Sequence, residues 1–426
     1  MPDAPYYGMR VDFASTEYRQ NVRNGIGFLN PNGDALLFQI LSSIARESLI
    51  TTEYTWHDQI LENRAAAVTG VYTDQALSSA YVTDAGAAGQ VLFVKMAELD
   101  AKHFVVDCQV ALRIGENIFS DLMAYVTGVT LNGANSFVAI KLLTDDTTAS
   151  GTYNKLQVTS SFSVRGGSSP DALMYDPTPY SNQCGITKNS VDIDGTQKAV
   201  SQKGGLVTGD RYTQSHVNGL RMHNTLIENG IIFSKKKTEI GVGGRLKPSP
   251  MGILEWIKTY APQNLLDFST DPLWAGQTWD QYGDEAFSSL ARKIAKYGDT
   301  NSLVLAGDGV LQSMDTVAKT YGNFQIGDFS NDTFGLRLRN WQTSNGSFPI
   351  KSYPLFTHES SLNNFMLVTR PAYLEFLSLR DTQLYEDVID DIDGQRDVWL
   401  TEWTLALHHP ITFFAVQNIG KTNTAA

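Results

Sequence analysis

Apolar residues recur at three- and four-residue steps in five places along the chain, and each place predicts a helix. Leu36, Leu37, Ile40, Leu41 and Ile44 share one helical face just after a turn at Asn30-Pro31-Asn32-Gly33-Asp34. Val217, Leu220, Ile227 and Ile231 predict a long helix over about 209–233. Asn224 interrupts its stripe, and Arg211, His216, Arg221 and Glu228 face elsewhere. So thin a stripe predicts a helix lying along a surface rather than in a core. Gly241 to Pro250 reads as a break, and Met251 to Tyr260 as a short apolar helix. Ala286, Phe287, Leu290, Ile294 and Tyr297 make 281–298 amphipathic, with Gly298 at the C-terminal cap position. Leu311, Met314, Val317 and Tyr321 mark a further helix ending at Gly322.

The strand signals lie between these helices. Thr51 to Ile60 is rich in Thr and aromatic residues. Over 66–165 Val, Thr, Ala and Gly dominate. Val91–Val94, Phe104–Val106, Val110–Ile114 and Phe137–Ile140 are short β runs there, and Asn132-Gly133 is a hairpin signal. This block predicts an inserted β subdomain, followed by a linker over 166–182. Ser302 to Ala306 is a buried-strand candidate. Beyond Phe324 the pattern is mostly β, ending in Val398–Leu407, where Trp399, Thr401, Trp403, Leu405 and Leu407 alternate, and in Ile411–Val416. Residues 1–33 show little period. Arg10, Arg19 and Arg23 sit among Tyr6, Tyr7, Phe13 and Tyr18, and an extended arm fits better than a packed domain. The fold class predicted is α+β.

Composition narrows the function. At 426 residues the chain exceeds one growing core. Its net charge of −12 gives no electrostatic footprint for tight nucleic-acid binding, although such a chain can still enclose nucleic acid. The dense basic run Lys235-Lys236-Lys237 reads as a solvated helix end. Cys108 and Cys184 make no disulfide framework, and a reducing compartment is the expectation. The first ten residues show no signal-peptide pattern, and no apolar run is long enough to span a membrane.

Candidate chemistry fails on spacing. Gly241-Val242-Gly243-Gly244 would need a third glycine where Leu246 stands. The acidic run Ile389 to Gly394 would put Ile389 and Leu400 at calcium-loop positions that need oxygen ligands. The loop around Asp192, Asp194 and Gly195 puts Ser190 and Ser201 there. His408 and His409 are adjacent, and neighbours on a strand point to opposite faces. Cys184 carries no local sign of activation. No catalytic, cofactor-binding or metal-binding residue, and no cofactor, is expected.

Four stretches carry a family resemblance. Tyr54-Thr-Trp56-His-Asp58 resembles an early "F-x-W-x-x-D" element of phage head proteins. Tyr180 to Thr196 resembles their "N-x-x-Q-I-x…V-x-x-S/D-G-T" segment before a long helix. Arg245 to Ile257 resembles their "R-x-M-G-G-L-x-x-x-I" stretch, and Thr401 to Pro410 their terminal "T-E-x-T-L-x-x-x-N-P" strand. Met251-Gly252-Ile253 has one glycine where the pattern often has two, and His409 stands where Asn is usual. In joint order these resemble major capsid proteins of tailed bacteriophages with the Hong Kong 97-like fold.

The resemblance implies an N-terminal arm and first helix over 1–65, a β-rich extended loop or inserted β subdomain over 66–182, and a spine helix with part of a peripheral domain over 183–259. It implies an axial domain over 260–345 and a peripheral β region over 346–426. It also implies self-assembly into pentamers and hexamers of an icosahedral virion head that encloses double-stranded DNA. Scaffolding, decoration and portal proteins are the implied partners, with assembly in the host cytoplasm. An encapsulin-like nanocompartment shell is the alternative in the same fold. A carbohydrate-active enzyme with a β accessory region is the alternative from another class, and it requires two facing carboxylates in a cleft.

Overall fold

The computed structural model describes residues 35–43, 48–60, 64–82, 85–115, 117–147, 152–162, 172–173, 175–194, 196, 211–296, 302–321, 330–333, 336–343, 346–388 and 394–425. The expected arm, the turn at 30–34, residues 166–171 and 174 of the expected linker, the cap at Gly298, the stop at Gly322 and the acidic run 389–393 lie outside the described residues. The chain divides into two compact units. One comprises residues 1–58 with 179–426, and the other 59–178.

The larger unit starts with helix α1 (Leu36–Ser43) and strand β1 (Glu53–Asp58). The chain then enters the smaller unit, where β2 (Ala65–Ala67), β3 (Gly70–Tyr72), β4 (Val91–Lys95), helix α2 (Glu98–Ala101), β5 (Cys108–Ile114), β6 (Asn117–Thr130), β7 (Phe137–Leu142) and β8 (Lys155–Ser161) follow. All its strand pairs are antiparallel, in the order β2-β8-β5-β6-β7-β4-β3. The continuous segment 65–72 pairs with β8 through its first half and with β4 through its second. One segment therefore joins both edges, and the sheet closes on itself as a small barrel. Closure removes the open edges that would invite stray pairing.

The barrel interior follows the two-residue alternation of its strands. Leu122, Ala124 and Val126 of β6 are buried, and the residues between them are half-buried. The sequence pattern had shown no strand at β6. Phe104 to Val106, expected as a strand, is instead the connection between α2 and β5, where Phe104 packs into the core from a turn. The Asn132-Gly133 signal does mark the β6–β7 connection. It takes the form of a short 3-10 turn, Gly133–Asn135, rather than a two-residue hairpin. The Tyr81 and Tyr153 hydroxyls donate to the buried Asp146 carboxylate at 2.6 and 2.9 Å. Burial, aided by that carboxylate, pushes the Tyr81 hydroxyl pKa up.

Back in the larger unit come β9 (Thr178–Gln183), β10 (Gly185–Asp194), α3 (Arg211–Phe233), β11 (Lys237–Ile240), β12 (Leu246–Ser249) and α4 (Ile253–Tyr260). Residues 178–182, expected as linker, are thus a strand that pairs with β1. Gly241 to Pro250, expected as a plain break, contains the second strand of the antiparallel β11–β12 hairpin.

Next are β13 (Leu265–Asp267), α5 (Trp279–Ala295), β14 (Leu303–Ala306), α6 (Asp308–Tyr321), β15 (Ser330–Thr333), β16 (Leu336–Thr343), β17 (Gly346–Ser352), α7 (Pro354–His358) and β18 (Met366–Thr369). The chain closes with β19 (Leu374–Val388), β20 (Gly394–Leu407) and β21 (Phe414–Gln417). A capping box between Thr278 and Gln281 starts α5.

A seven-stranded mixed sheet, in the order β13-β21-β18-β14-β17-β16-β15, organises this unit. Leu303, Leu305, Leu367 and Ala415 point to one face and pack with α1, α3 and α4. Val304, Ala306, Met366 and Val368 point to the other and pack with α5 and α6. Cover on both faces explains why β14 and β18 read as unbroken apolar runs. The sheet takes strands from both sides of residue 345, because β17 and β18 flank β14 and β21 lies between β18 and β13.

The second sheet, β10-β20-β19, is a long antiparallel ribbon with α3 laid against it. As the thin stripe predicts, α3 lies on a surface by one face: His223, Ile227, Glu228, Ile231 and Ile232 are buried, while Val217, Met222 and Leu226 are exposed. The stripe is thin because the sheet supplies the bulk. A Cβ on Gly219 would lie 2.7 Å from Val191 Cγ2, and one on Gly230 would lie 2.8 Å from the Trp403 ring. Two glycines admit the sheet side chains, and polar pairs complete the seam: His216 to Asp397 at 2.6 Å and His223 to Thr401 at 2.7 Å.

Candidate assembly site: a junction of four stretches and the surfaces near it

The four stretches that carry the resemblance meet at one buried place. The link begins with Asn182 at the end of β9. Its side-chain N–H donates to the carbonyls of Met251 and Leu405 at 3.1 and 2.7 Å, and its oxygen accepts from Met251 N at 2.8 Å. One buried amide thus ties the second stretch to the third and the fourth, with each polar atom satisfied.

Aromatic packing ties in the first stretch. The Trp56 ring lies 5.3 Å from Trp256, 5.8 Å from His408 and 6.2 Å from Tyr180. Asp58 completes the link. It accepts from His409 N at 2.8 Å and lies 2.8 Å from His408 Nδ1.

Two of the departures from the family pattern fall here and have local explanations. A Cβ on Gly252 would meet backbone atoms of Gly230, Ser234 and Ile231 at 2.9 to 3.0 Å. The last turn of α3 therefore requires this glycine. The following position faces the core, where Ile253 is fully buried, so a second glycine is not needed. His409 is left-handed, with φ 50° and ψ 64°. Asn tolerates that region best after glycine, and His is also enriched there. His408 and His409 are not on a strand, as had been assumed, but in the turn after β20, and Asp58 engages both.

A second polar node anchors α1. Glu228 accepts from Leu37 N at 2.9 Å and Phe38 N at 2.7 Å, and the Tyr353 hydroxyl donates to it as well. These N–H groups belong to the first turn of α1, where no helical partner exists. Burial raises the Glu228 pKa to about 7, against the pull of the two backbone N–H groups. The helical pattern puts Glu228 off the apolar stripe and gives no sign of these partners.

The remaining candidates resolve simply. Gly241 to Gly244 is the β11–β12 turn, with Gly243 and Gly244 at φ 83° and 74°. Asp192 lies on β10 and pairs with Arg396 at 2.8 Å. Asp194 ends β10, Gly195 and Ser201 lie outside the described residues, and Leu400 is buried in β20. Lys236 donates to Ser181, and Lys237 pairs with Glu239, so two of the three lysines are engaged. Cys108 and Cys184 are free and buried, and burial pushes the Cys184 thiol pKa up to about 11. Among the described residues no cluster of three or more His, Cys, Asp or Glu could hold a metal ion, and no helix is long and apolar enough to cross a membrane.

Two surface features of the larger unit bear on assembly. The β11–β12 hairpin shows Ile240, Val242 and Leu246 to solvent. A groove of about 360 Å³ lies between the ends of α3 and α4 and the β13 edge of the large sheet. Phe233, Leu254, Leu265, Leu266 and Phe365 form apolar parts of its wall.

The fold is a layered α+β scaffold whose four stretches meet at a buried packing junction. The family model described as SU10 major capsid protein matches residues 6–420, and the chain belongs to that family. It is a non-enzymatic structural protein of the virion capsid and forms the phage head as a multimeric shell. No curated protein sequence matches it. A solved structure from Mycobacterium phage Bobi is similar over 95% of this chain and 96% of that one, at 9% identity and TM-score 0.44. One from Mycobacterium phage Adephagia is similar over 97% and 96%, at 9% identity and TM-score 0.42. The holo-SrpI encapsulin complex from Synechococcus elongatus PCC 7942 is similar over 58% and 77%, at 13% identity and TM-score 0.40.

Proposed function

We propose that the chain forms the pentamers and hexamers of an icosahedral head of the Hong Kong 97-like kind, enclosing double-stranded DNA. The observation that carries this reading is the single junction at which Asp58, Asn182, Met251 and His409 bring the four capsid-like stretches together. In this reading the seven-stranded sheet with α5 and α6 is the axial part. It extends the expected 260–345 by β17, β18 and β21. The ribbon β10-β20-β19 with α3 is the peripheral part, and α3 is the spine. The barrel serves as the extended-loop region, and it and the arm expected over 1–33 lace neighbouring copies together. Scaffolding, decoration and portal proteins are the further partners.

The acidic balance suits a wall that contains DNA without gripping it. The test is expression of the full chain, alone and with the neighbouring head genes, followed by negative-stain microscopy. Closed shells with five- and six-fold capsomers support the reading. Protein that remains monomeric under all these conditions counts against it.

A further inference from the structure

The β11–β12 hairpin carries apolar side chains for which a lone subunit has no use. Ile240 and Leu246 are direct cross-strand partners, 75% and 74% exposed, and Val242 on the turn beside them is fully exposed. At its base the hairpin rests on its own subunit. The Thr238 hydroxyl donates to the Gln183 side chain at 2.9 Å, and its cross-strand partner Pro248 lies against Gly185. Two residues further out, strand alternation puts Ile240 and Leu246 on that same face, where no described residue of this subunit covers them. The positive φ of Gly243 and Gly244 fits the tight turn, so the tip is a shaped protrusion rather than a loose loop.

The groove between α3, α4 and β13 is a recess on the same unit that also presents apolar side chains. Tip and groove each combine apolar side chains with charges of both signs. Glu239, Arg245 and Lys247 flank the tip, and Lys235, Glu255 and Asp267 are in the groove lining. Apolar side chains accompanied by charged ones suit a protein–protein contact. The tip does not fill the groove of its own subunit, as its exposure shows. In a shell the surface at highest local concentration is another copy of the same chain. A protrusion and a recess at different places on one subunit make a heterologous contact, which generates rings when the rotation closes.

We propose that the hairpin tip of one copy, centred on Val242, seats in the α3–α4–β13 groove of a neighbouring copy. This rests on the shell reading above and adds a specific contact to it. Three aliphatic side chains make a small contact, suited to a shell held by many weak contacts acting together.

The test is cross-linking in the full chain carrying Val242→Cys and Leu265→Cys, using a short thiol-reactive reagent. The native cysteines are buried, which keeps the background low. The double variant is expected to give a ladder of linked copies, whereas a mixture of the two single variants stops at linked pairs. Val242→Asp is expected to cut shell yield at least tenfold without changing the circular dichroism of the subunit. Shells that form normally from the double variant without intersubunit links overturn the contact, as does a Val242→Asp chain that assembles like the parent. Ladders formed by protein that makes no shells uphold the contact and count against the shell reading.

Discussion

The Asp58 carboxylate accepts a hydrogen bond from the backbone N–H of His409 at 2.8 Å, across 351 positions of sequence. Its other oxygen lies 2.8 Å from His408 Nδ1, and Asp58 itself is buried. Removing the carboxylate leaves a backbone donor and an imidazole without their acceptor where water is scarce. Asp58→Ala is expected to cost about 1–3 kcal/mol, the range for stranding a buried polar group. Asp58→Asn, which keeps one acceptor oxygen, is expected to lose less. Urea unfolding of the isolated subunit measures both. An alanine variant as stable as the parent would show that the contact is idle.

His409 gives a second test, of backbone rather than side chain. Its φ of 50° costs a β-branched residue most and asparagine little. His409→Asn is expected to leave the unfolding midpoint unchanged or slightly raised. His409→Ile is expected to lower stability by about 1–2 kcal/mol, the strain of the left-handed region for an ordinary residue. Equal midpoints for the two variants would contradict the strain argument.

These two residues also show what the sequence could and could not reveal. The terminal stretch was recognisable as a string, and its departure at His409 was visible, but the reason is a dihedral angle that no spacing encodes. Periodicity located α5, α6 and β14 because each buries a dense apolar face. It did not reveal the buried seam of α3, where the helix contributes Gly219, Gly230 and two histidines and the sheet contributes Trp399 and Trp403. A thin stripe met by bulky partners looks the same as a thin stripe met by water. The role of Glu228 was hidden for a related reason. Its partners are backbone N–H groups about 190 positions away, and nothing beside it in sequence announces them. The barrel's closure was hidden because one eight-residue segment serves two edges.

Gly252 and Gly230 hold α3 close to its neighbours, and each predicts a packing penalty. A Cβ at Gly252 would press on backbone from three residues of α3 and the turn after it, which cannot rotate aside. A Cβ at Gly230 would press on the Trp403 ring. Gly252→Ala and Gly230→Ala are each expected to cost about 1–3 kcal/mol, as overpacked cores do, with Gly252→Ala the costlier. Thermal unfolding followed by near-ultraviolet circular dichroism, which reports the tryptophans, checks the order. The reverse order would show that the tryptophan, not the helix backbone, is the rigid partner.

His223 and Glu228, five positions apart on α3, predict opposing pH effects. Burial lowers the His223 pKa from 6.5 to about 4. The unfolded chain therefore binds a proton that the folded chain refuses, and the stability this residue contributes is full above about pH 6.5 and is lost as pH falls toward 4. Burial raises the Glu228 pKa from 4.5 to about 7. The folded chain keeps a proton that the unfolded chain releases, so this contribution is full below about pH 4.5 and is lost as pH rises through 7. Between 4.5 and 6.5 the two slopes oppose each other and flatten the profile of the parent chain. Removing one group should uncover the other. His223→Gln is expected to grow more stable toward acid across that window relative to the parent. Glu228→Gln, which also loses an acceptor for α1, is expected to grow less stable toward acid. Urea midpoints measured from pH 4 to 8 decide the matter. Parallel profiles in the two variants would mean that neither group titrates inside the folded subunit as its surroundings dictate.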